Sequence, residues 1–283
     1  MSDEPTDSPR PADLARSFGA VAQAYDRGRP GYPAAAATWL MVDEAQVVLE
    51  LGAGTGKLTR ELVDQGHAVF ATEPDEAMLA VLRERVPEVS AKVATAEAIP
   101  ANDRSVDVVV VAQAFHWFDH EQALPEMARV LKPGGHLALV WNFFDQRIPW
   151  VRRLVDVVGE HSASSHASAD VLSEHDLFEP AERATFAFWQ DVTRDTLVDI
   201  VASRSYVAAL PEDEREARLN AVRALYDEYG RGHDGMQLPY VTECFRAKVR
   251  DQREDTDHED GAGVDRRTVS DGSDTDMLLI DFR

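Results

Sequence analysis

The sequence predicts an α/β protein built on a doubly wound, mostly parallel sheet. Apolar runs of strand length alternate with amphipathic helical stretches from residue 47 to about residue 141, which is the pattern of a parallel sheet with right-handed crossovers. The first strand, residues 47–51, has almost no polar face, as a strand covered on both sides requires. It runs directly into a turn with three glycines, Gly52, Gly54 and Gly56, and ligands bind beyond the carboxyl ends of such strands.

Five strands are expected in the first half of the chain, each a short apolar run. They cover residues 47–51, 67–72, 89–94, 106–112 and 137–141. Helices are expected before and between these strands, at residues 12–25, 34–41, 57–65 and 76–86, with one more that ends at residue 131. Gly66 and Pro87 directly follow two of these helices, in positions where glycine and proline end helices.

The start of the helix that ends at residue 131 has two interpretations, because Pro125 lies inside it. In one, Asp119 caps the helix and Pro125 kinks it. In the other, the helix begins near Leu124 and Pro125 occupies its first turn, where proline is tolerated. Residues 132–135, with the sequence Lys-Pro-Gly-Gly, are a stop signal in both cases.

After residue 150 the regular alternation gives way to a region richer in helix. Helices are expected at residues 151–161, 196–209 and 212–229, strands at 185–192 and 236–249, and a polar loop at 162–168. We therefore divide the chain into a disordered N-terminus (1–12), one domain (13–250) with a helical acceptor-pocket region (151–235), and an acidic disordered tail (251–283). The tail holds eleven acidic and four basic residues, a composition that cannot bury a core.

Charge and composition exclude several classes of function. A net charge of −22 opposes binding to nucleic acid, which needs clustered lysine and arginine. The longest apolar runs are about half of the roughly 20 residues that cross a bilayer, and the N-terminal residues are polar, so we expect a cytoplasmic protein without a membrane partner. The single cysteine, Cys244, excludes a disulfide framework or a cysteine-based zinc site within one chain, and we expect no metal. The oligomeric state is left open.

The turn after the first strand distinguishes between kinds of ligand. The dinucleotide fingerprint G-x-G-x-x-G would place its third glycine at position 57, which is Lys57. A phosphate loop fails as well, because Leu58 stands where serine or threonine must follow the lysine. The turn instead reads acid-x-G-x-G-x-G from Glu50, and Glu73 follows at the end of the second strand, where a carboxylate can accept two ribose hydroxyls. This pair favours a nucleoside ligand without a pyrophosphate; a tight turn with no ligand is the alternative.

Four segments in order along the chain resemble the motifs of class I S-adenosylmethionine-dependent methyltransferases. They are residues 48–59 (VLELGAGTGKLT), 71–78 (ATEPDEAM), 94–100 (ATAEAIP) and 128–135 (ARVLKPGG). Residues 18–33 and 113–118 resemble the branch of trans-aconitate-type small-molecule methyltransferases. The resemblance covers about residues 15–250. It implies a Rossmann-like, seven-stranded sheet whose last strand, residues 236–249, is antiparallel.

By the same resemblance the cofactor is S-adenosyl-L-methionine, and the chain would be an enzyme that transfers its methyl group and releases S-adenosylhomocysteine. The residues implied in cofactor binding are Tyr25, Arg29, Glu50, Gly52, Ala53, Gly54, Gly56, Glu73, Pro74, Met78, Ala96, Glu97 and Gln113. Arg29 would suit the carboxylate of the cofactor. Thr95 stands where the family often has an aspartate for the adenine amino group, so Glu97 or backbone carbonyls would serve instead.

The acceptor is expected to be a small molecule, with O-methylation of a carboxylate or hydroxyl favoured. The residues predicted to line its pocket are His116, Trp117, Trp141 and Tyr206. His116 is also the candidate general base, which a hydroxyl acceptor requires and a carboxylate does not; a pocket wall is its alternative role. Three arginines, Arg147, Arg152 and Arg153, would either bind an acidic acceptor or lie on a solvated helix face. The alternative function is a non-catalytic S-adenosylmethionine-binding regulatory or subunit protein.

Overall fold

One sheet of seven strands organises the part of the chain that the computed structural model describes, residues 26, 28–44, 46–159, 170–172, 175–230 and 235–250. In chain order the helices and strands are α1 (Ala34–Leu40), β1 (Val47–Leu51), α2 (Lys57–Asp64), β2 (Ala68–Thr72), α3 (Glu76–Arg85), β3 (Ser90–Lys92), β4 (Val106–Ala112), α4 (His120–Val130), β5 (Leu131–Phe144), α5 (Pro149–Val158), β6 (Glu182–Val192), α6 (Arg194–Ala202), α7 (Ser205–Ala208), α8 (Glu212–Tyr229) and β7 (Met236–Lys248). The predicted N-terminal segment (1–12), the helix at 12–25, the loop at 162–168 and the tail (251–283) lie outside the described residues.

The strand order is β3-β2-β1-β4-β5-β7-β6. Strands β1 to β5 pair in parallel, and β7 runs antiparallel to both of its neighbours, β5 and β6. The predicted α/β class with a mostly parallel, doubly wound sheet is therefore confirmed, and the strand predicted at 236–249 is the antiparallel one. The chain runs outward from β1 to β3, then returns to the other side of β1 at β4. The carboxyl ends of β1 and β4 thus form the switch point where ligands bind in such sheets.

Helices cover both faces of the central strands, which explains why most residues of these strands are apolar. One face buries Leu49, Val109 and Leu139 in a core shared with α4. The opposite face buries Val48 and Val110 in a core shared with α1 and α2. Because β1 has no solvated side, it lacks the alternation of polar and apolar residues that a half-exposed strand shows.

The start of α4 agrees with one of its two interpretations. Asp119 is the N-cap, and its carboxylate accepts a hydrogen bond from the backbone N–H of Glu121 at 3.1 Å. Pro125 lies inside the helix. The interpretation with a cap at Asp119 is therefore right, and a start near Leu124 is wrong.

The predicted stop signal at residues 132–135 forms a bulge at the start of β5. Leu131 pairs with Val106, but the next pairing joins His136 to Val108, so the four residues between them bulge out of the ladder. A Cβ added at Gly135 would lie 2.7 Å from the carbonyl oxygen of Asp107. The close approach of the two backbones explains why a glycine stands at this position.

The region at residues 151–235 contains a strand as well as helices, because β6 lies between α5 and α6. The helix predicted at 196–209 is two helices, α6 and α7. They are separated at Ser203, whose hydroxyl donates to the carbonyl of Ile200 at 2.7 Å. Helices α5, α6 and α8 pack around a second core that includes Leu154, Ile200 and Leu225. This helical layer lies beside the carboxyl end of β5.

The described ranges contain neither a membrane-spanning helix nor a cluster of metal ligands. None of the helices there is long and apolar enough to cross a bilayer. In the part of the chain that the structure describes, no group of three or more His, Cys, Asp or Glu side chains could hold a metal ion. The thiol of Cys244 is buried in the sheet, and burial raises its pKa to about 12. Cys244 is therefore a core residue and not a nucleophile.

Candidate functional site

The glycine turn at residues 52–56 follows the carboxyl end of β1, at the switch point of the sheet. Gly54 has a φ of +56°, a left-handed conformation that disfavours any side chain. A Cβ added there would meet no atom within 4 Å, so Gly54 faces open space. At Gly52 an added Cβ would lie 2.7 Å from the Cβ of Ala114. The turn therefore packs against the segment after β4 on one side and offers bare backbone to a ligand on the other.

Glu73 lies at the end of β2, and its side chain reaches the glycine turn. Its Oε2 accepts a hydrogen bond from the backbone N–H of Gly54 at 2.9 Å, and its Oε1 accepts one from Asp75 at 3.0 Å. The residue is only 7% exposed, and burial raises the pKa of its carboxyl although both backbone hydrogen bonds lower it. Each carboxylate oxygen can accept a further hydrogen bond. The structure thus brings together the two residues that the sequence singled out for a nucleoside.

Glu50, the acid that precedes the turn, is 1% exposed at the end of β1. Its Oε2 accepts a hydrogen bond of 2.6 Å from the hydroxyl of Thr59 on α2. Burial raises the pKa of Glu50 to about 8; the hydrogen bond from Thr59 lowers it, and the charge of Glu73 raises it further. Glu50 therefore carries a proton over much of the neutral range. It lies at the base of the site as a hydrogen-bonding group more than as a charge.

Gln113, directly after β4, completes the floor of the site. Its φ is +60°, a strained conformation for a residue with a side chain, of the kind that concentrates at functional sites. The backbone N–H of Gln113 donates to the carbonyl of Val140 at 2.9 Å. Its side-chain amide donates to the carbonyl of Asn142 at 3.3 Å. These contacts fix the Gln113 side chain between the ends of β4 and β5.

The described residues of the segment 26–32, which we call the clasp, cross over the glycine turn. Asp26 forms ion pairs with Lys57, at 3.8 Å, and with Arg85. The side-chain amide of Asn142 donates to the carbonyl of Gly31 at 3.0 Å. The clasp is therefore attached to α2, α3 and β5, around the rim of the site.

Two further contacts attach the clasp to the helical layer. A Cβ added at Gly28 would lie 2.5 Å from the carbonyl oxygen of Asp199 on α6. The guanidinium of Arg29 donates to the carbonyl of Ser203 at 3.3 Å. Because both contacts involve α6 or its end, the clasp and the helical layer cover the site together.

A small cavity remains between the clasp and the turn. It encloses about 50 Å³ and is lined by Glu50, Gly54, Lys57 and Gln113 below and by Arg29 above. This volume is far below the roughly 300 Å³ at which small-molecule pockets begin. Entry of a nucleoside therefore requires the clasp to shift away from the turn. Tyr25, the other N-terminal residue predicted here, lies outside the described residues.

The residues predicted on the adenine side line the ends of β2 and β3. Met78 is buried in the first turn of α3, and its backbone N–H donates to Asp75. Ala96 is buried, whereas Pro74 is half-buried. Glu97 accepts a hydrogen bond from the backbone N–H of Asp119 at 3.0 Å. The carboxylate of Glu97 thus ties its loop to the start of α4.

His116 lies in a short 3₁₀ turn, Phe115–Trp117, between β4 and α4. His116 is an exposed residue, and the centroid of its ring lies 4.6 Å from that of Trp117, which is half-buried. Desolvation of the imidazole by neighbouring groups lowers the pKa of His116, and the positive charges of Arg29 and His120 lower it further. His116 is therefore neutral at physiological pH, the state in which an imidazole accepts a proton.

Two residues predicted for the acceptor pocket lie mainly in cores. Trp141 is 4% exposed and packs edge-on against Phe245 at a centroid distance of 6.0 Å. It shares the core of Leu139, so its side chain points away from the open side of the site. Tyr206, on α7, is half-buried against the second core. Asn142, one position after Trp141, has the opposite side-chain direction and bonds to the clasp, because side chains alternate along a strand.

The three arginines considered as ligands of an acidic acceptor form hydrogen bonds or ion pairs with neighbouring residues at the surface. The guanidinium of Arg147 donates two hydrogen bonds to Asp145, at 2.8 and 2.7 Å. Arg152 donates to the carbonyl of Gln146, and Arg153 pairs with Glu228 at 2.8 Å. The interpretation of these residues as a solvated face fits these contacts.

Known proteins with related sequences include several methyltransferases. Residues 49–139, which include the glycine turn and Glu73, match the methyltransferase domain family. An uncharacterized methyltransferase of Mycobacterium tuberculosis is 45% identical over 239 residues, which cover 84% of this chain and 97% of that protein. A trans-aconitate 2-methyltransferase of Variovorax paradoxus is 30% identical over 218 residues, 69% of this chain and 83% of that protein. A solved structure from Anaeromyxobacter dehalogenans, assigned as a type II methyltransferase, is 26% identical, with a TM-score of 0.59 over 78% of this chain and 97% of that chain.

Proposed function

Since this chain belongs to the S-adenosylmethionine-dependent methyltransferase family, we propose that it methylates a small-molecule acceptor on a carboxylate or hydroxyl oxygen. Its cofactor is S-adenosylmethionine, and the coproduct of transfer is S-adenosylhomocysteine. The observation that carries the proposal is the hydrogen bond between Glu73 and the backbone of Gly54, beside open space at the switch point. A nucleoside with two ribose hydroxyls fits a carboxylate in that position.

The residues around the turn fit this cofactor in three ways. Gly54 leaves room directly above its Cα. The carboxylate of Glu73 has acceptor capacity left for the ribose hydroxyls. Arg29, which lines the same cavity, supplies a guanidinium for the carboxylate of the methionine moiety. Lys57 stands where a dinucleotide motif needs its third glycine and pairs with Asp26, which disfavours a nicotinamide coenzyme.

Little acid–base chemistry is required of the protein in such a transfer. Bound S-adenosylmethionine supplies a methyl group on a positively charged sulfur, whose thioether leaves without needing a proton. The chain's own residues then have to align the acceptor and exclude water. Coverage of the site by the clasp and α6 suits both tasks.

The nature of the acceptor decides what His116 does. A carboxylate attacks without losing a proton, so His116 would act as a wall of the acceptor site. A hydroxyl must lose its proton; the imidazole of His116 is neutral and can accept it, but its lowered pKa makes it a weaker base than an ordinary histidine. The similarity to a trans-aconitate 2-methyltransferase supports a carboxylate, and small carboxylic acids are therefore the first acceptors to test.

A small acceptor is supported by the enclosure of the site and by the charge of the chain. The clasp contacts Asp199 and Ser203 on the helical layer, which leaves little room for a folded macromolecule. The net charge of −22 repels a nucleic-acid backbone. Both features suit a compact acceptor held in a covered pocket.

The test is release of S-adenosylhomocysteine with a panel of acceptors. The panel contains trans-aconitate and other small carboxylic acids, phenols, aliphatic alcohols and amines, and mass spectrometry detects the added methyl group. We expect product with at least one carboxylic acid, alcohol or phenol. Product with amines alone would contradict O-methylation. Tight binding of S-adenosylmethionine without product from the panel or from a small-molecule extract would favour a non-catalytic binding protein.

A further inference from the structure

The strand β6 forms one edge of the sheet and is long for an edge strand, with eleven residues. Within the described residues no strand lies beyond it. Its pairing with β7 is continuous and without a bulge, and it contains no proline. One face is exposed along most of its length, at Arg183, Thr185, Ala187 and Trp189, and Trp189 is 56% exposed. Such a long, regular edge is a template for pairing with another strand.

The direction of the hydrogen-bonding groups on β6 follows from the register of its neighbours. In an antiparallel ladder each residue directs both its N–H and its C=O to the same side. The backbone N–H of Asp145 donates to the carbonyl of Pro239, so odd-numbered residues of β7 face β5 and even-numbered ones face β6. Even residues of β7 pair with even residues of β6, as Tyr240 does with Phe188. The odd-numbered residues of β6, from 183 to 191, therefore direct their N–H and C=O groups toward the outer edge.

We propose that a second copy of this chain pairs with β6 in an antiparallel manner, about a two-fold axis at Ala187. Ala187 is the midpoint of β6, so this register pairs the full length of both strands. It also joins odd-numbered residues to odd-numbered residues, which carry the outward-directed groups. The interface is isologous, as two-fold dimer interfaces are, and it extends one sheet through both subunits.

The side chains of β6 are complementary to themselves in this register. Arg183 faces Asp191 of the partner subunit at each end of the ladder. Thr185 faces Trp189 of the partner subunit, a cross-strand pair of β-branched and aromatic residues that stabilises sheets. Moving the two-fold axis by one residue, to 186 or 188, would leave both charges without an opposite charge. The sequence of β6 thus selects one register among those that its edge allows.

The charges at the two ends of β6 are held in position by their own chain. Arg183 forms an ion pair with Glu243 at 2.8 Å, and Asp191 accepts a hydrogen bond from Gln237 at 2.9 Å. Both partners lie on β7 and restrict the side chains to the sheet. Strands β4, β5 and β7 separate the proposed interface on β6 from β1 and its glycine turn. Cofactor binding therefore does not depend on the interface.

The mass of the full chain in solution tests the proposal. Sedimentation equilibrium at micromolar concentrations should give twice the chain mass of 31.4 kDa. Asp191→Arg sets two arginines against each other at both ends of the ladder and should raise the dimer dissociation constant at least about tenfold. Arg183→Asp should do the same, and the double variant R183D/D191R should restore the dimer because the opposite charges face each other again. Arg215→Asp, which breaks a surface pair with Glu212 on α8, is the matched control and should leave the dimer unchanged.

A proline variant tests the backbone pairing itself. Ala187→Pro removes an N–H that points to the outer edge and leaves the ladder with β7 intact, so it should give a monomer whose melting temperature shows that it is folded. A wild-type chain that stays monomeric throughout would overturn the proposal. A dimer that survives Ala187→Pro and both single charge reversals would overturn it too. So would a dimer that is lost on removal of residues 251–283 but persists in Ala187→Pro, because the contact would then belong to the tail.

Discussion

The carboxylate of Glu73 accepts a hydrogen bond of 2.9 Å from the backbone N–H of Gly54. The contact joins the end of β2 to the turn that follows β1, two strands that pair in parallel. It places a buried acceptor beside the part of the turn where an added Cβ would meet open space. The proposed binding of the cofactor ribose depends on this pair of residues.

Gly54→Val should abolish binding of S-adenosylmethionine. The new side chain would fill the open space above the turn, and valine is also strained at a φ of +56°. Gly66→Val is the matched control, because Gly66 has a φ of +90° and the same open surroundings but lies after α2, away from the site. Titration calorimetry should find no binding in the first variant and wild-type affinity in the second. Equal affinities in both would remove the cofactor from this turn.

Glu73→Ala should weaken binding of S-adenosylmethionine by about ten- to a hundredfold, since losing a hydrogen bond to a charged group costs about 1.5 to 3 kcal/mol. The variant should also unfold at a lower temperature, because the N–H groups of Gly54 and Asp75 lose their acceptor. Glu76→Ala, an exposed neighbour on α3 paired with Arg83, is the control for both measurements. Unchanged affinity in Glu73→Ala would assign the ribose contact to another residue.

Glu50 should make the stability of the ligand-free protein fall as the pH rises from about 4.5 to about 8. Its folded pKa is raised to about 8 from 4.5, so in this window the folded state holds a proton that the unfolded state has lost. Stability then decreases by about 1.4 kcal/mol per pH unit and levels off above the window. Glu50→Gln removes the ionisation while keeping an acceptor for Thr59. Denaturant titrations should show that the free energy of unfolding of Glu50→Gln rises relative to that of the wild type from pH 5 to pH 8. The same pH dependence of this free energy in both proteins would show that Glu50 ionises normally.

His116→Ala should distinguish the two kinds of acceptor. With a hydroxyl acceptor, loss of a general base should reduce kcat by about 10²- to 10⁴-fold. With a carboxylate acceptor, kcat should change only a few-fold. His120→Ala, which removes the neighbouring imidazole, is a control for changes in local charge. A large loss with carboxylates would mean that His116 does more than line the site.

Asp26→Ala should speed the dissociation of S-adenosylmethionine. Asp26 attaches the clasp to Lys57 and Arg85, and the space under the closed clasp is only about 50 Å³, so ligand exchange requires the clasp to open. Stopped-flow measurement of release should find a faster rate than in the wild type, with Asp64→Ala, which breaks a surface pair with Arg60, as the control. Identical rates in the three proteins would contradict gating by the clasp.

The fold could be predicted from local signals because its central strands are buried on both faces. Four of the five residues in Val47–Leu51 are apolar for that reason. The proximity of Glu73 to Gly54 follows from the meeting of parallel strand ends. Because of the same burial on both faces, the sequence does not predict on which face of β5 the side chain of Trp141 lies. Most residues on both faces of β5 are apolar, so alternation along the strand does not show whether Trp141 points to the site.

Contacts between distant parts of the chain could not be predicted from the sequence. Arg29 and Ser203 are 174 positions apart, and Gly28 is a glycine because the backbone of α6 passes against it. The ion pairs of Asp26 likewise depend on how the clasp crosses the site. These contacts arise from tertiary packing, which periodicity and motifs do not encode.

Transfer of a labelled methyl group is the decisive measurement for the proposed function. The full chain is incubated with isotopically methyl-labelled S-adenosylmethionine and a whole-cell extract, and label is measured in the small-molecule, protein and nucleic-acid fractions. We expect label in the small-molecule fraction with the wild type, and none with Gly54→Val. Label in the protein or nucleic-acid fraction, or transfer that is as fast with Gly54→Val as with the wild type, would contradict the account.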